Sequence, residues 1–260
     1  MERQIANPEF RLLRLWCSVV SGIYGTSSHA IARQLLTLMA LKPTNLSPPQ
    51  TLRPPLVPSI ADAIGPYIAV LKTYIDIFVG FFPCTAIPEL QELSQKHSFP
   101  ISEDCKFVDI GNTVMLEYSG SRRIAEWAHL VNACLLAGEG NIRSLLALAP
   151  EYAGRRVILI LAGMTPEGSL ARGEGTAKSN AIARSHKGLV AGLVAHAPLA
   201  APLCGNDEGE MNMLTFSTGV NWHSAGEGLL LHYRGPKEVV VGESDAVSLG
   251  DVRRPGSDGR

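Results

Sequence analysis

VILILA, residues Val157–Ala162, carries no polar side chain. A run this short and rich in branched residues suits a strand, and being apolar at every position it must be buried on both faces. That is the habit of strands in parallel sheets covered by helices. Reading outward, Thr176–His186 has helical spacing and Leu189–Ala195 (LVAGLVA) is a second buried strand. Upstream, Leu130–Leu136 predicts a strand and Ile142–Leu148 a helix. Farther out, Tyr67–Leu71 (YIAVL) and Phe99–Ser102 read as strands, and Ile87–His97, Val114–Glu117 and Arg123–Trp127 as helices. Met213–Phe216 and Ala246–Leu249 are further short strands. Strands alternating with helices every ~25–35 residues make repeated βα units, hence an α/β protein with a parallel sheet.

Two architectures carry that pattern, a closed (β/α)8 TIM barrel and a doubly wound open sheet. The open sheet wants a glycine-rich phosphate turn after its first strand. The nearest match, Gly138-Glu-Gly140, lacks the third glycine, and no P-loop is present. The closed barrel is the preferred reading, and 260 residues suit the ~250 such a barrel needs.

The N-terminal third is less regular. His29–Ala40 predicts an amphipathic helix, but Ser47–Pro58 holds five prolines in twelve residues. Proline lacks the N–H that a strand or helix interior uses, so an irregular, proline-rich first strand is expected here. Residues 1–28 read as an N-terminal extension. Leu12–Tyr24 follows Arg11 and is moderately apolar, but Glu2, Glu9 and Arg14 fit a signal peptide poorly. The chain then divides into a single barrel domain over 29–250 and a polar tail over 251–260.

Charge excludes some partners. Lys and Arg number 23 against 24 Asp and Glu, a net of -1. That gives no electrostatic footprint for nucleic acid or an acidic membrane. The apolar stretch Ile68–Phe82 is interrupted by Lys72 and Asp76, too short and too charged to span a bilayer. The five cysteines are scattered without a CxxC pair, which argues against a disulfide framework or structural zinc and for a reducing, cytoplasmic setting.

In a (β/α)8 barrel the residues just after strand C-termini carry the chemistry. Lys72 follows one predicted strand; Asp104, Lys106 and Asp109 follow the next, in SEDCKFVDIGNT. Alternating carboxylates and ammoniums keep one another ionised where water is scarce and present substrate with a fixed field. By spacing alone, the same residues also suit a solvated loop with weak surface ion pairs.

Longer words separate these readings. IGPYIAVLKTYIDI (Ile64–Ile77), FPISEDCKFVDIGNTV (Phe99–Val114), RIAEWAHLVNACLLAGEG (Arg123–Gly140), LILAGMTPEGSLARGEGT (Leu159–Thr176) and FSTGVNWHSAGEGLLLHYR (Phe216–Arg234) occur in order. Together they resemble the orotidine 5'-monophosphate decarboxylase family in its fungal branch, from about His29 to Gly250. The resemblance implies a cofactor-independent carboxy-lyase, without metal, that converts orotidine 5'-monophosphate to UMP and CO2, the last step of UMP biosynthesis. It implies Lys106 as the catalytic ammonium at C6, with Asp104 beside the leaving carboxylate and Lys72 bridging Asp104 and the ribose hydroxyls. It further implies a homodimer in which Asp109 and Thr113 reach the partner's site, while Thr165 binds the pyrimidine and Tyr233 the phosphate.

Departures from the family fall in the grip on substrate. No acidic residue lies between Glu9 and Asp62, where the family keeps a ribose-binding aspartate after its first strand. Leu231 stands where the family has a glutamine, and Asp251 where an arginine clamps phosphate. Arg253 or Arg254 could replace that arginine only after a local shift. The family's closing helix has no counterpart, so a truncated C-terminal end is expected. Two readings stay open at this point: a working decarboxylase, or a divergent paralogue with altered substrate or a non-catalytic scaffold role.

Overall fold

The computed structural model describes residues 30–50, 57–77, 83–148, 156–166, 168–196, 213–220, 234–235, 238–239 and 246–249. Helix α1 (Ala30–Leu41) leads into β1 (Pro49–Gln50), α2 (Val57–Ile64), β2 (Leu71–Thr73), α3 (Pro83–His97) and β3 (Ile101–Glu103). Then follow α4 (Gly111–Ser119), α5 (Ile124–Trp127), β4 (Leu130–Ala133), α6 (Gly140–Ala147) and β5 (Val157–Leu161). The chain continues through α7 (Glu174–Ser185), β6 (Val190–Ala195), β7 (Leu214–Val220) and β8 (Ala246–Leu249). The strands form one sheet in the order β1 to β8, each parallel to the next. This is the α/β architecture of the TIM barrel.

The sequence of β5 shows how the two sides of the sheet are filled. Val157, Leu159 and Leu161 join Leu130, Leu214, Phe216 and the α1 side chains Ile31, Leu35 and Met39 in one buried cluster. Ile158, Ile160 and Ala162 join Val131, Ala133, Ile101, Leu90 and Ile142 in the other. The first cluster is the inner face, and α1 covers its N-terminal end. The second is the layer between strands and helices. Strands β2 to β6 are therefore buried on both faces, which is why VILILA has no polar position. Gly192 in β6 answers to a tighter constraint, because a Cβ there would lie 2.1 Å from the carbonyl oxygen of Leu214 on β7.

Three expectations need correction. The run Tyr67–Leu71 is buried from Ile68 onward, but Gly65–Tyr67 is a 3-10 turn and β2 is Leu71–Thr73. Pro66 fixes the backbone of that turn and cannot donate to a ladder. Lys72 therefore lies within the strand rather than after it. The strand predicted over Leu130–Leu136 stops at Ala133, because the Cys134 N–H turns to the carbonyl of Lys106 at 2.8 Å and Leu135–Ala137 winds into a 3-10 turn.

The proline-rich stretch does contain a strand, of two residues, and Val57 already begins α2. Pro48 and Pro49 are tolerated because the chain here serves β2 as an acceptor. The Leu46 carbonyl takes the Ala69 N–H at 2.9 Å and the Pro48 carbonyl takes the Lys72 N–H at 3.2 Å. A proline carbonyl accepts as well as any other, and among the described residues β1 pairs only with β2.

Candidate active site

Alternation along the strands brings three polar side chains to the inner face. On β2, Leu71 packs outward, so Lys72 points inward; on β3, Ile101 packs outward and Asp104 inward. On β4, Leu130 is inner and Val131 outer, leaving Asn132 inner. All three stand at the C-terminal ends of adjacent strands, with Lys72 in register with Ser102 and Ser102 with Leu130.

The centre of the group is Asp104. Its Oδ2 lies 3.3 Å from Lys72 Nζ. Its Oδ1 takes both the Lys106 ammonium and the Asn132 Nδ2–H. Lys106 Nζ also donates to the Asp104 carbonyl at 3.2 Å. The Tyr74 hydroxyl bonds the same carboxylate. The Tyr74 ring lies 5.1 Å from Lys72 Nζ and 5.6 Å from Lys106 Nζ, so its π face adds to the stabilisation of both cations.

Burial alone would raise the Asp104 pKa. The Lys72 and Lys106 charges outweigh it and hold the carboxyl below its ordinary range. Burial pulls the Lys72 ammonium down, opposed by Asp104. The Lys106 side chain is 35% exposed, against 10% for Lys72 and 6% for Asp104. It is thus the cation that faces the open mouth.

The loop carrying Lys106 is held from both sides. Its carbonyl takes the Cys134 N–H, and the Phe107 carbonyl takes the Asn141 Nδ2–H at 3.0 Å. Phe107 has φ +39°, a left-handed value unfavourable for a bulky residue. The buried Phe107 ring offsets this by packing edge-on against Tyr118, at 5.5 Å between centroids. A strained residue fixed by packing is a common device for aiming a neighbouring functional group.

The remaining sequence candidates lie elsewhere. Asp109 is exposed, and its Oδ1 accepts the Ile110 N–H at 2.6 Å rather than joining the array. Thr113 is half-buried in the first turn of α4, and Thr165 is half-buried after β5. Tyr233, Leu231, Asp251, Arg253 and Arg254 lie outside the described residues. One chain therefore brings together Lys72, Asp104 and Lys106, but not Asp109.

Three residues of the site escaped the sequence reading. Tyr74 follows Lys72 by two positions and gives no signal by itself. Glu103 is buried on the outer face, where its Oε2 pairs with Thr73 Oγ1 at 2.6 Å and its Oε1 accepts the Ile75 N–H at 3.0 Å. Burial pushes its pKa up to about 8. Asn132 was legible in principle, as the one amide inside the apolar run LVNACLL.

An ion array of this kind supplies two things, a preorganised field at the strand ends and an ammonium able to give up a proton to a carbanion. The relatives of the chain fit that chemistry. Residues 56–250 match the Orotidine 5'-phosphate decarboxylase / HUMPS family. An orotidine 5'-phosphate decarboxylase of Emericella nidulans is 44% identical over 196 residues, covering 74% of this chain and 71% of the relative. That of Coccidioides immitis is 43% identical over 227 residues, covering 85% and 82%. Among solved structures, the orotidine 5'-monophosphate decarboxylase of Methanocaldococcus jannaschii in complex with the inhibitor BMP superposes with a TM-score of 0.56 at 12% identity. It covers 80% of this chain and 88% of that one. The Pyrococcus horikoshii enzyme gives 0.54 at 16% identity, over 79% and 88%. At these identities the structures speak for the fold, and the fungal relatives for the family. Fold, array and relatives agree: the chain belongs to the orotidine 5'-phosphate decarboxylase / HUMPS family.

Proposed function

We propose that this chain decarboxylates orotidine 5'-monophosphate to UMP and CO2 without a cofactor, in the cytoplasm, as a homodimer of the barrel domain 29–250. The observation that carries the reading is the Lys72–Asp104–Lys106 array at the strand ends, with Asp104 held between two ammoniums. The C6–carboxylate bond of the substrate breaks, CO2 leaves, and the bonding pair stays on C6 as a carbanion. The Lys106 ammonium stabilises that charge and passes it a proton, and solvent returns the proton to Lys106. Asp104 orients Lys106, and Lys72 secures Asp104 from the other side and reaches the ribose. Thr165 meets the pyrimidine and Tyr233 the phosphate. Grip on ribose and phosphate supplies binding energy that is spent at C6.

The dimer reading rests on the exposed apolar side chains Val108, Ile110 and Leu116, and on Leu136. The first three flank Asp109 and Thr113 in sequence. A second copy docked there would bury the apolar group and deliver both polar residues to its neighbour's site. The cytoplasmic assignment is consistent with the described helices, none of which is long and apolar enough to cross a membrane.

Loss of pyrimidine absorbance on mixing purified protein with orotidine 5'-monophosphate tests the reaction. Lys106→Ala is expected to lower kcat by at least about a thousandfold, since it removes both the field and the proton donor. A wild-type protein that turns over no substrate would sink the reading, and turnover unaffected by Lys106→Ala would sink the mechanism.

A further inference from the structure

Asn132 is 4% exposed on the inner face of β4, between Val131 and Ala133 in the strand. Removing an amide from water is unfavourable unless both of its ends find partners. Here one end does. Nδ2 donates to Asp104 Oδ1, while Oδ1 of Asn132 is buried and has no hydrogen-bond partner among the described residues. Turning the amide over would set a carbonyl oxygen against a carboxylate, so the unmatched arrangement is the better of the two. A leucine of similar size would fill the same space and remove the unpaired amide oxygen, but it would also take a donor from the buried Asp104 carboxylate.

We propose that Asn132 is a positioning residue, which locks the rotamer and ionisation of Asp104 and thereby fixes Lys106 over the reacting carbon. Asp104 Oδ1 also takes the Lys106 ammonium, the group that must give up a proton during turnover. Each time Lys106 is neutralised, Asp104 loses a positive neighbour. A neutral N–H from Asn132 keeps one donor on that oxygen throughout the cycle. Lys72 does the same for Oδ2. The groups facing Asp104 are thus Lys72, Tyr74 and Asn132 as constant partners and Lys106 as the variable one.

The proposal takes its chemistry from the decarboxylase reading, but the effect on Asp104 can be measured without turnover. Asn132→Leu removes one unpaired oxygen and one donor together, so it is expected to change Tm little, to lower kcat by about tenfold or more with little change in KM, and to shift the acid limb of the pH profile upward. The 13C carboxyl titration of Asp104 is expected to move upward in the same variant. Asn132→Asp provides the second arm. Its new carboxyl can donate to Asp104 only while protonated, so its activity is expected to fall as pH rises from about 5 to 7, opposite to the wild-type limb. Unchanged kcat in Asn132→Leu, or an Asn132→Asp profile that parallels wild type, overturns the proposal. Should wild type prove inactive, the function fails on its own, and an Asp104 titration unmoved by Asn132→Leu overturns the positioning role separately.

Discussion

Glu103 and Asp104 are adjacent in the chain, and strand alternation sends them to opposite faces. Asp104 meets two ammoniums and is held ionised; Glu103 meets no cation among the described residues, and burial pushes its pKa up to about 8. The geometry accommodates the neutral acid. A protonated Oε2 can donate to Thr73 Oγ1, whose own hydroxyl lies 3.4 Å from the Ser102 carbonyl, while Oε1 accepts from Ile75 N–H. The native state then holds a proton that the unfolded chain, with a carboxyl near 4.5, has released. Where the native state binds more protons, stability falls as pH rises, so this stabilisation is complete below the unfolded value and is lost through about 8. Its slope is at most about 1.4 kcal/mol per pH unit. Glu103→Gln keeps the same hydrogen-bond pattern with nothing to ionise. Chemical denaturation at several pH values is expected to show a flatter dependence in the variant and a gain over wild type at pH 8; a loss at pH 8 would contradict a neutral Glu103. The sequence displayed the Asp104 and Lys106 spacing openly, because that chemistry is local. It hid Glu103, because a buried acid is recognisable only once the face it points to is known.

At the scale of elements, the strands were legible wherever burial on both faces left an apolar run, as in β5 and β6. One was displaced where proline intervened, at Pro66, whereas the expected proline-rich first strand forms at Pro49–Gln50, because a proline carbonyl still accepts. The segment that makes the short β1 workable contains Lys42, just past the end of α1. Its ammonium donates to the carbonyls of Gly65 at 2.8 Å and Ile68 at 3.2 Å, and to that of His97, and lies 6.0 Å from the Phe99 ring. One cation thus ties α1, the turn before β2 and the end of α3 together. Burial lowers its pKa, yet three acceptors use all three of its N–H donors. No sequence pattern shows this, since the three carbonyls come from distant segments. Lys42→Met retains the aliphatic stem and strands the carbonyls, so urea unfolding is expected to register a loss of about 1–3 kcal/mol. The Lys72–Asp104–Lys106 array is not touched, and kcat of the folded fraction should be unchanged. Full stability in the variant would mean the carbonyls find other donors.

For the whole molecule, the decisive fact is that one chain assembles three members of the predicted charge set and leaves the fourth outside. Asp109 is exposed beside Val108 and Ile110 and bonds its own backbone neighbour. The proposed dimer, with each site completed by a second copy, would account for both the displaced carboxylate and the exposed apolar residues around it, and it makes a quantitative demand. Lys106→Ala and Asp109→Ala, each inactive as a homodimer, should complement when mixed and allowed to exchange subunits. In the mixed dimer, the protomer with an intact Lys106 receives an intact Asp109 from its partner, while the other site lacks both. Random exchange makes half the dimers mixed and one site in each competent, so activity should recover to roughly a quarter of wild type. Ile110→Arg, placing a charge in the apolar contact, should abolish that recovery and shift sedimentation toward monomer. If Asp109 instead serves its own chain, neither mixed site is complete, and mixing restores nothing.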